Sequence, residues 1–150
     1  MSVLGELQPN KVFKYFEEIC SIPHGSRNLQ QISDYLVDFA KAHELKYRQD
    51  EDLNVIIWKD GSKGYEASEP VILQGHMDMV AVKEADCDKD MEKEGLDLEI
   101  NGDYISAKGT SLGGDDGIAV AYTLAVLDDE EMAHPPIEAI FTVNEEIGML

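Results

Sequence analysis

Cations are scarce in this chain. Lys and Arg number 12 against 31 Asp and Glu in 150 residues, a formal charge of -19. That balance repels phosphate backbones and anionic membrane surfaces, so nucleic acid and lipid are not expected as partners. Long apolar runs are missing too, and none approaches the roughly 20 residues that cross a bilayer. The opening Met1-Ser2-Val3-Leu4-Gly5-Glu6 has no basic region followed by an apolar stretch, so nothing marks the chain for export and a cytoplasmic location is expected. Only two cysteines occur, Cys20 and Cys87. They are not spaced as a zinc pair, and a reduced protein without a disulfide is expected. Internal repeats and low-complexity tracts are also absent. With 43% hydrophobic residues, the chain is long enough for one core and too short for two, which predicts one domain or a piece of one.

The apolar positions define the elements. Val12, Phe13, Phe16, Ile19 and Cys20 recur at helical spacing up to Pro23, and Leu29, Ile32, Leu36, Phe39 and Ala40 form a second helical stripe that Ser26 or Asn28 can cap. The period then changes. Leu45-Lys46-Tyr47 and Asn54 to Trp58 have strand character. Val71-Ile72-Leu73 is nearly continuously apolar, as in a strand buried on both faces, and leads to Gly75-His76-Met77-Asp78. Lys83 to Gly95 reads as an exposed charged loop, and Leu96 to Ala107 as a hairpin turning at Asn101-Gly102. A helix is expected from Asp116 to about Asp128, and a strand over Ile137 to Val143. This order predicts a three-layer α/β domain with a largely parallel or mixed sheet.

Chemistry gathers where apolar runs end. In His76-x-Asp78 the two side chains project to one side of an extended backbone. Imidazole is a good zinc ligand, and a carboxylate beside it can accept the other ring N–H; standing alone, His76 reads more readily as a satisfied histidine at a strand end. Asp115 and Asp116 follow paired glycines and precede a helix. One of them can bind or bridge cations while the other caps the helix. Glu145 and Glu146 can share a pocket only if their strand is ending, one binding metal and the other taking a proton from water. His24 and His134 read as loop residues. Asp86-x-Asp88-x-Asp90 lacks the turn glycine of a calcium loop, because Met91 stands there.

Taken together, Leu73 to Val80, Gly109 to Ile118 and Phe141 to Met149 resemble, in order and spacing, the aminoacyl-histidine dipeptidases. These are a branch of the co-catalytic zinc metallopeptidases related to glutamate carboxypeptidase. The resemblance implies a partial three-layer α/β/α zinc-peptidase catalytic domain of the phosphorylase/hydrolase-like type, with residues 1–150 as its amino-terminal part. A lid domain, through which a homodimer would form, and further ligands would lie beyond. It implies two divalent ions, most suitably Zn2+ with Mn2+ or Co2+ as alternatives. His76, Asp115 and Glu146 would be metal ligands, Asp115 bridging, with Asp78 orienting His76 and Glu145 as general base. A cis peptide would follow Asp115. Gly117, where many relatives outside this branch carry lysine, points to the histidine-dipeptide branch. The implied activity is metal-dependent hydrolysis of small dipeptides with carboxy-terminal histidine, including β-alanyl-histidine. A related amide hydrolase or deacylase, and a non-catalytic interaction module, are the alternatives.

Overall fold

The computed structural model describes residues 2–149. Two helices come first, α1 (Asn10–Cys20) and α2 (Gln30–Ala42), followed by strands β1 (Lys46–Gln49), β2 (Val55–Lys59) and β3 (Val71–His76). A hairpin, β4 (Leu98–Asn101) and β5 (Tyr104–Ala107), precedes α3 (Gly114–Asp128) and β6 (Ile137–Thr142). The four-stranded sheet runs β1-β2-β6-β3, and the hairpin stands apart as a two-stranded sheet. Only β3 and β6 are parallel; the β1–β2 and β2–β6 pairs are antiparallel. The sheet is therefore mixed, and the α/β reading holds.

Alternation along the strands decides which face is covered. Val55 and Ile57 of β2 and Ile137, Ala139 and Phe141 of β6 are buried and join Ile19, Ile32, Leu36 and Leu124 of the helices in one apolar cluster. Each large aliphatic side chain so buried contributes about 1.5–3 kcal/mol relative to exposure. The intervening positions, Ile56, Trp58, Glu138 and Ile140, are only half-buried. All three helices thus lie on one side, and residues 2–149 place no helix on the other. Tyr15 of α1 meets Phe39 of α2 edge to face at 5.5 Å, and Phe16 and Ile19 close over Gly117 of α3.

Two local expectations require correction. The strand expected to be buried on both faces, β3, is an edge strand among the described residues: Val71 is 44% and Ile72 60% exposed. Its apolar composition reflects one covered face and its parallel pairing with β6, not two covered faces. Ser26 and Asn28 do not cap α2, whose first residue follows Leu29 without a side-chain cap. Both side chains are committed to other segments, as described below.

Candidate metal centre

Parallel pairing of β3 and β6 brings His76 opposite Thr142, so both strands end at one edge of the sheet. This is where α/β proteins collect ligand-binding groups. Beyond β6, Asn144 adopts a left-handed conformation, φ 54°, which Asn tolerates better than most residues. The chain then coils through a short 3₁₀ turn, Glu145–Ile147. That turn resolves the geometric difficulty of two adjacent glutamates serving one pocket, since neither belongs to the strand.

Asp78 holds the turn. Its side chain is fully buried. One carboxylate oxygen accepts the Glu145 N–H at 2.9 Å, and the other accepts the Glu146 N–H at 3.2 Å and the Ser26 hydroxyl at 2.7 Å. Successive N–H groups converging on one carboxylate form an anion nest. The carboxylate expected behind His76 therefore chiefly anchors Glu145 and Glu146. His76 is oriented by the same residue through its main chain: Nδ1 lies 2.9 Å from the Asp78 carbonyl oxygen and 3.5 Å from its carboxylate. A carbonyl only accepts, so Nδ1 carries the proton and Nε2 presents its lone pair outward.

Outward from Nε2 stand carboxylates. Asp115 Oδ1 is 3.1 Å away and Glu145 Oε2 3.7 Å. Donor atoms of His76, Asp115 and Glu146 all lie within 4.8 Å of one another. Asp115 reaches this point because the chain is not yet helical there: Asp115 and Asp116 have non-helical torsions within the span of α3, and the peptide joining them is cis. Neither aspartate caps the helix, which Gly113 enters at φ 71° with no side-chain cap. Asp116 instead accepts the His76 backbone N–H at 3.2 Å. Gly75 permits that approach, since a Cβ at this position would come 3.2 Å from Asp116 Oδ2 and 3.4 Å from Ala119 Cβ.

A lone pair on Nε2 facing several carboxylate oxygens is repulsive unless something positive sits between them. Either a proton or a cation meets that need. The proton's share is visible in the His76 pKa: burial works against the charged ring, but hydrogen bonds to the Asp78 carbonyl and to Asp115 prevail, and the pKa is raised above 6.5. One imidazole nitrogen with carboxylate oxygens is a donor set suited to zinc and its neighbours among the divalent metals. The residues present fit such an ion.

All five residues singled out from the sequence meet here. His24 and His134 do not; each is buried and bonded to a nearby carbonyl, of Ile22 and Pro135 respectively. Both cysteines are free thiols. Sequence reasoning missed Ser26, Asn28 and the loop around them. Ser26 bonds Asp78, the Arg27 N–H donates to Asn144 Oδ1, and Asn28 Nδ2 donates to the Glu92 carbonyl. Three consecutive residues thus reach three distant segments. Only tertiary contact reveals them, because a short polar run before a helix reads as a cap.

No family model matches the chain. Over 149 residues it is 41% identical to the cytosol non-specific dipeptidase of Escherichia coli (strain K12), covering 99% of this chain and 31% of that protein. The fold matches the crystal structure of aminoacylhistidine dipeptidase from Vibrio alginolyticus with a TM-score of 0.94 at 40% identity, over 97% of this chain and 30% of that one. A tripeptidase from Staphylococcus aureus subsp. aureus mu50 matches with a TM-score of 0.75 at 24% identity over 96% of this chain, a likeness of fold alone. In sequence and in fold, the chain is similar to the cytosol non-specific and aminoacylhistidine dipeptidases, of whose length it spans less than a third.

Proposed function

We infer that this chain supplies the metal-holding part of a dipeptidase. The reaction is hydrolysis of small dipeptides, those with carboxy-terminal histidine and β-alanyl-histidine among them. The observation that carries the reading is the convergence of His76 Nε2 with Asp115, Glu145 and Glu146 at one strand-end edge. A scaffold has no use for uncompensated donors aimed at a single point. The E. coli relative is named a cytosol enzyme, and a cytoplasmic location belongs to the same proposal. So do the assignment of residues 1–150 to the amino-terminal part of a catalytic domain and a homodimer formed through a lid domain.

His76, Asp115 and Glu146 would hold divalent ions, two in number and zinc by preference. Bound there, such ions supply Lewis acidity, polarising the scissile carbonyl and making water easier to deprotonate. The chain's own residues do the rest. Glu145 is half exposed and can take a proton from water and return it to the leaving amine. Asp78 fixes Glu145 and Glu146 through their N–H groups, and its carbonyl fixes the His76 tautomer. The dense negative charge attracts the ammonium end of a dipeptide.

The direct test is release of free histidine from β-alanyl-histidine by the full-length protein, with zinc or manganese and with chelator. Metal-dependent release is expected. A protein that holds metal and releases no histidine would move the assignment to a deacylase or another dipeptide specificity. One that holds none and releases none would be a non-catalytic module.

A further inference from the structure

The register of β2 with β6 ends at the Val55–Phe141 pair. On the opposite side β3 holds one residue more, the Met77 N–H donating to the Thr142 carbonyl at 2.9 Å. Val143 follows, with Asn144, Glu145 and Glu146 directly after it. Its N–H is taken by a side chain: Asn54 Oδ1 accepts it at 3.2 Å. The main chain of Asn54 is already committed to Asp50, its N–H donating to Asp50 Oδ1 at 2.8 Å and its carbonyl accepting the Asp50 N–H at 3.0 Å. A side-chain rung therefore extends the sheet past the point where backbone pairing stops.

The same aspartate decides which way the amide faces. Asn54 Nδ2 lies 3.0 Å and 3.3 Å from the two Asp50 carboxylate oxygens. A carboxylate only accepts and an amide oxygen cannot donate, so the nitrogen faces Asp50 and the oxygen faces Val143. From the loop before α2 the Arg27 N–H donates to Asn144 Oδ1 at 2.9 Å, and Asp78 takes the two N–H groups that follow. Residues 143–146 are thus held one after another by three separate segments. Beside the rung, a cavity of about 270 Å³ lined by Asp52, Asn54, Val143, Asn144 and Met149 leaves space into which the turn can shift, so close packing does not duplicate the hydrogen bond.

We propose that Asn54 is a positioning residue for Glu145 and Glu146: its amide oxygen fixes where β6 stops, and so where the two carboxylates are aimed, while Asp50 fixes the amide. Asn54 acts through the turn and not on the substrate. The proposal rests on the dipeptidase reading above and extends its machinery to the loop between β1 and β2. Misplacing a catalytic group by about 1 Å costs on the order of 10²-fold in rate, so a loosened turn is read directly in turnover.

The test uses the full-length zinc-loaded protein and a set of Xaa-His dipeptides that includes β-alanyl-histidine, with zinc content and far-ultraviolet dichroism recorded for every variant. Asn54→Leu, similar in size but without the amide, should lower kcat by about 10–100-fold and leave KM unchanged. In the metal-free protein the same variant should speed amide exchange at Val143, Glu145 and Glu146. Exchanging the pair, Asp50→Asn together with Asn54→Asp, again sets a donor against an acceptor at the same net charge and should recover most of the lost kcat. Ser33→Ala removes the hydroxyl that donates to the Leu53 carbonyl at 2.7 Å. It loosens the same loop without breaking the rung, and should leave kcat unchanged. Asp50→Asn alone, which frees the amide to flip, should give a smaller loss of kcat and keeps the test standing if Asn54→Leu fails to fold. Unchanged kcat or unchanged amide exchange in folded, zinc-replete Asn54→Leu overturns the positioning role while leaving the dipeptidase reading intact. So does an equal loss in Ser33→Ala, or a folded exchange variant that recovers nothing. Failure of wild-type protein to cleave any dipeptide of the set overturns both.

Discussion

Replacing Asp78 with Asn changes two atoms' worth of chemistry at the point where three chain segments are tied together. As carboxylate, Asp78 accepts from the Glu145 N–H, the Glu146 N–H and the Ser26 hydroxyl, and its side chain is shut away from water. An amide keeps one acceptor. If that oxygen retains Glu145, the new NH2 group faces the Glu146 N–H, donor against donor, while the Ser26 hydroxyl can rotate to accept. One half-buried N–H then loses a charged acceptor, at a cost of about 1.5–3 kcal/mol. The bond that survives weakens because its acceptor is now neutral, which adds roughly 0.5–1 kcal/mol. The expected loss in unfolding free energy is about 2–4 kcal/mol, or roughly 5–15 °C in Tm for a chain of this size. Urea denaturation followed by circular dichroism measures the loss, and amide exchange at Glu145 and Glu146 locates it. Asp78→Asn should also weaken zinc binding, since Glu145 and Glu146 are no longer held. A loss below about 0.5 kcal/mol with unchanged exchange at both amides would refute the anchoring role.

Glu145→Gln in the full-length protein should leave metal bound and lower kcat by about 10²–10⁴, the usual worth of a general base, as read by metal analysis alongside histidine release. Chelation should abolish turnover and added zinc restore it, while the 150-residue chain alone should bind zinc weakly and release no histidine. Gly75→Ala puts a methyl group 3.2 Å from Asp116 Oδ2, and overpacking of that kind should cost about 1–3 kcal/mol in urea denaturation. Glu17 accepts hydrogen bonds from the Ser2 hydroxyl and from the Val3 and Leu4 N–H groups. Burial opposes its charge, but these bonds prevail and hold its pKa below 4.5. Its contribution is therefore fully present above pH 4.5 and lost as pH falls through the depressed value, so the protection of the Val3 and Leu4 amides relative to their intrinsic exchange rates should fall only below pH 4.5. Glu17→Gln should remove that dependence.

Much of the fold is legible in the sequence alone. The stripes of α1 and α2, the hairpin turning at Asn101-Gly102 and the strand that became β6 follow from periodicity and turn chemistry, which are local. The five residues of the candidate site stand out because each element that carries them closes an apolar run or opens one. What stayed hidden depends on neighbours distant in sequence. The apolar run of β3 looks the same whether its strand is central or at an edge, and pairing alone tells the two apart. Ser26 has the local signature of a helix cap, yet its hydroxyl crosses to Asp78, 52 residues away. Asp115 and Asp116 have the same capping signature, and the irregular start of α3 turns both toward His76 instead.

The exposed edge of β3 also bears on how the protein behaves in concentrated solution. Among the described residues, Val71 and Ile72 stand on a strand with one unpaired side, a template on which a second sheet can add. At neutral pH the charge of -19 keeps copies apart. Near the isoelectric point of about 4.3 that repulsion vanishes while the edge remains, so solubility should collapse over a narrow acidic range and recover on return to neutrality if the strands have not yet paired.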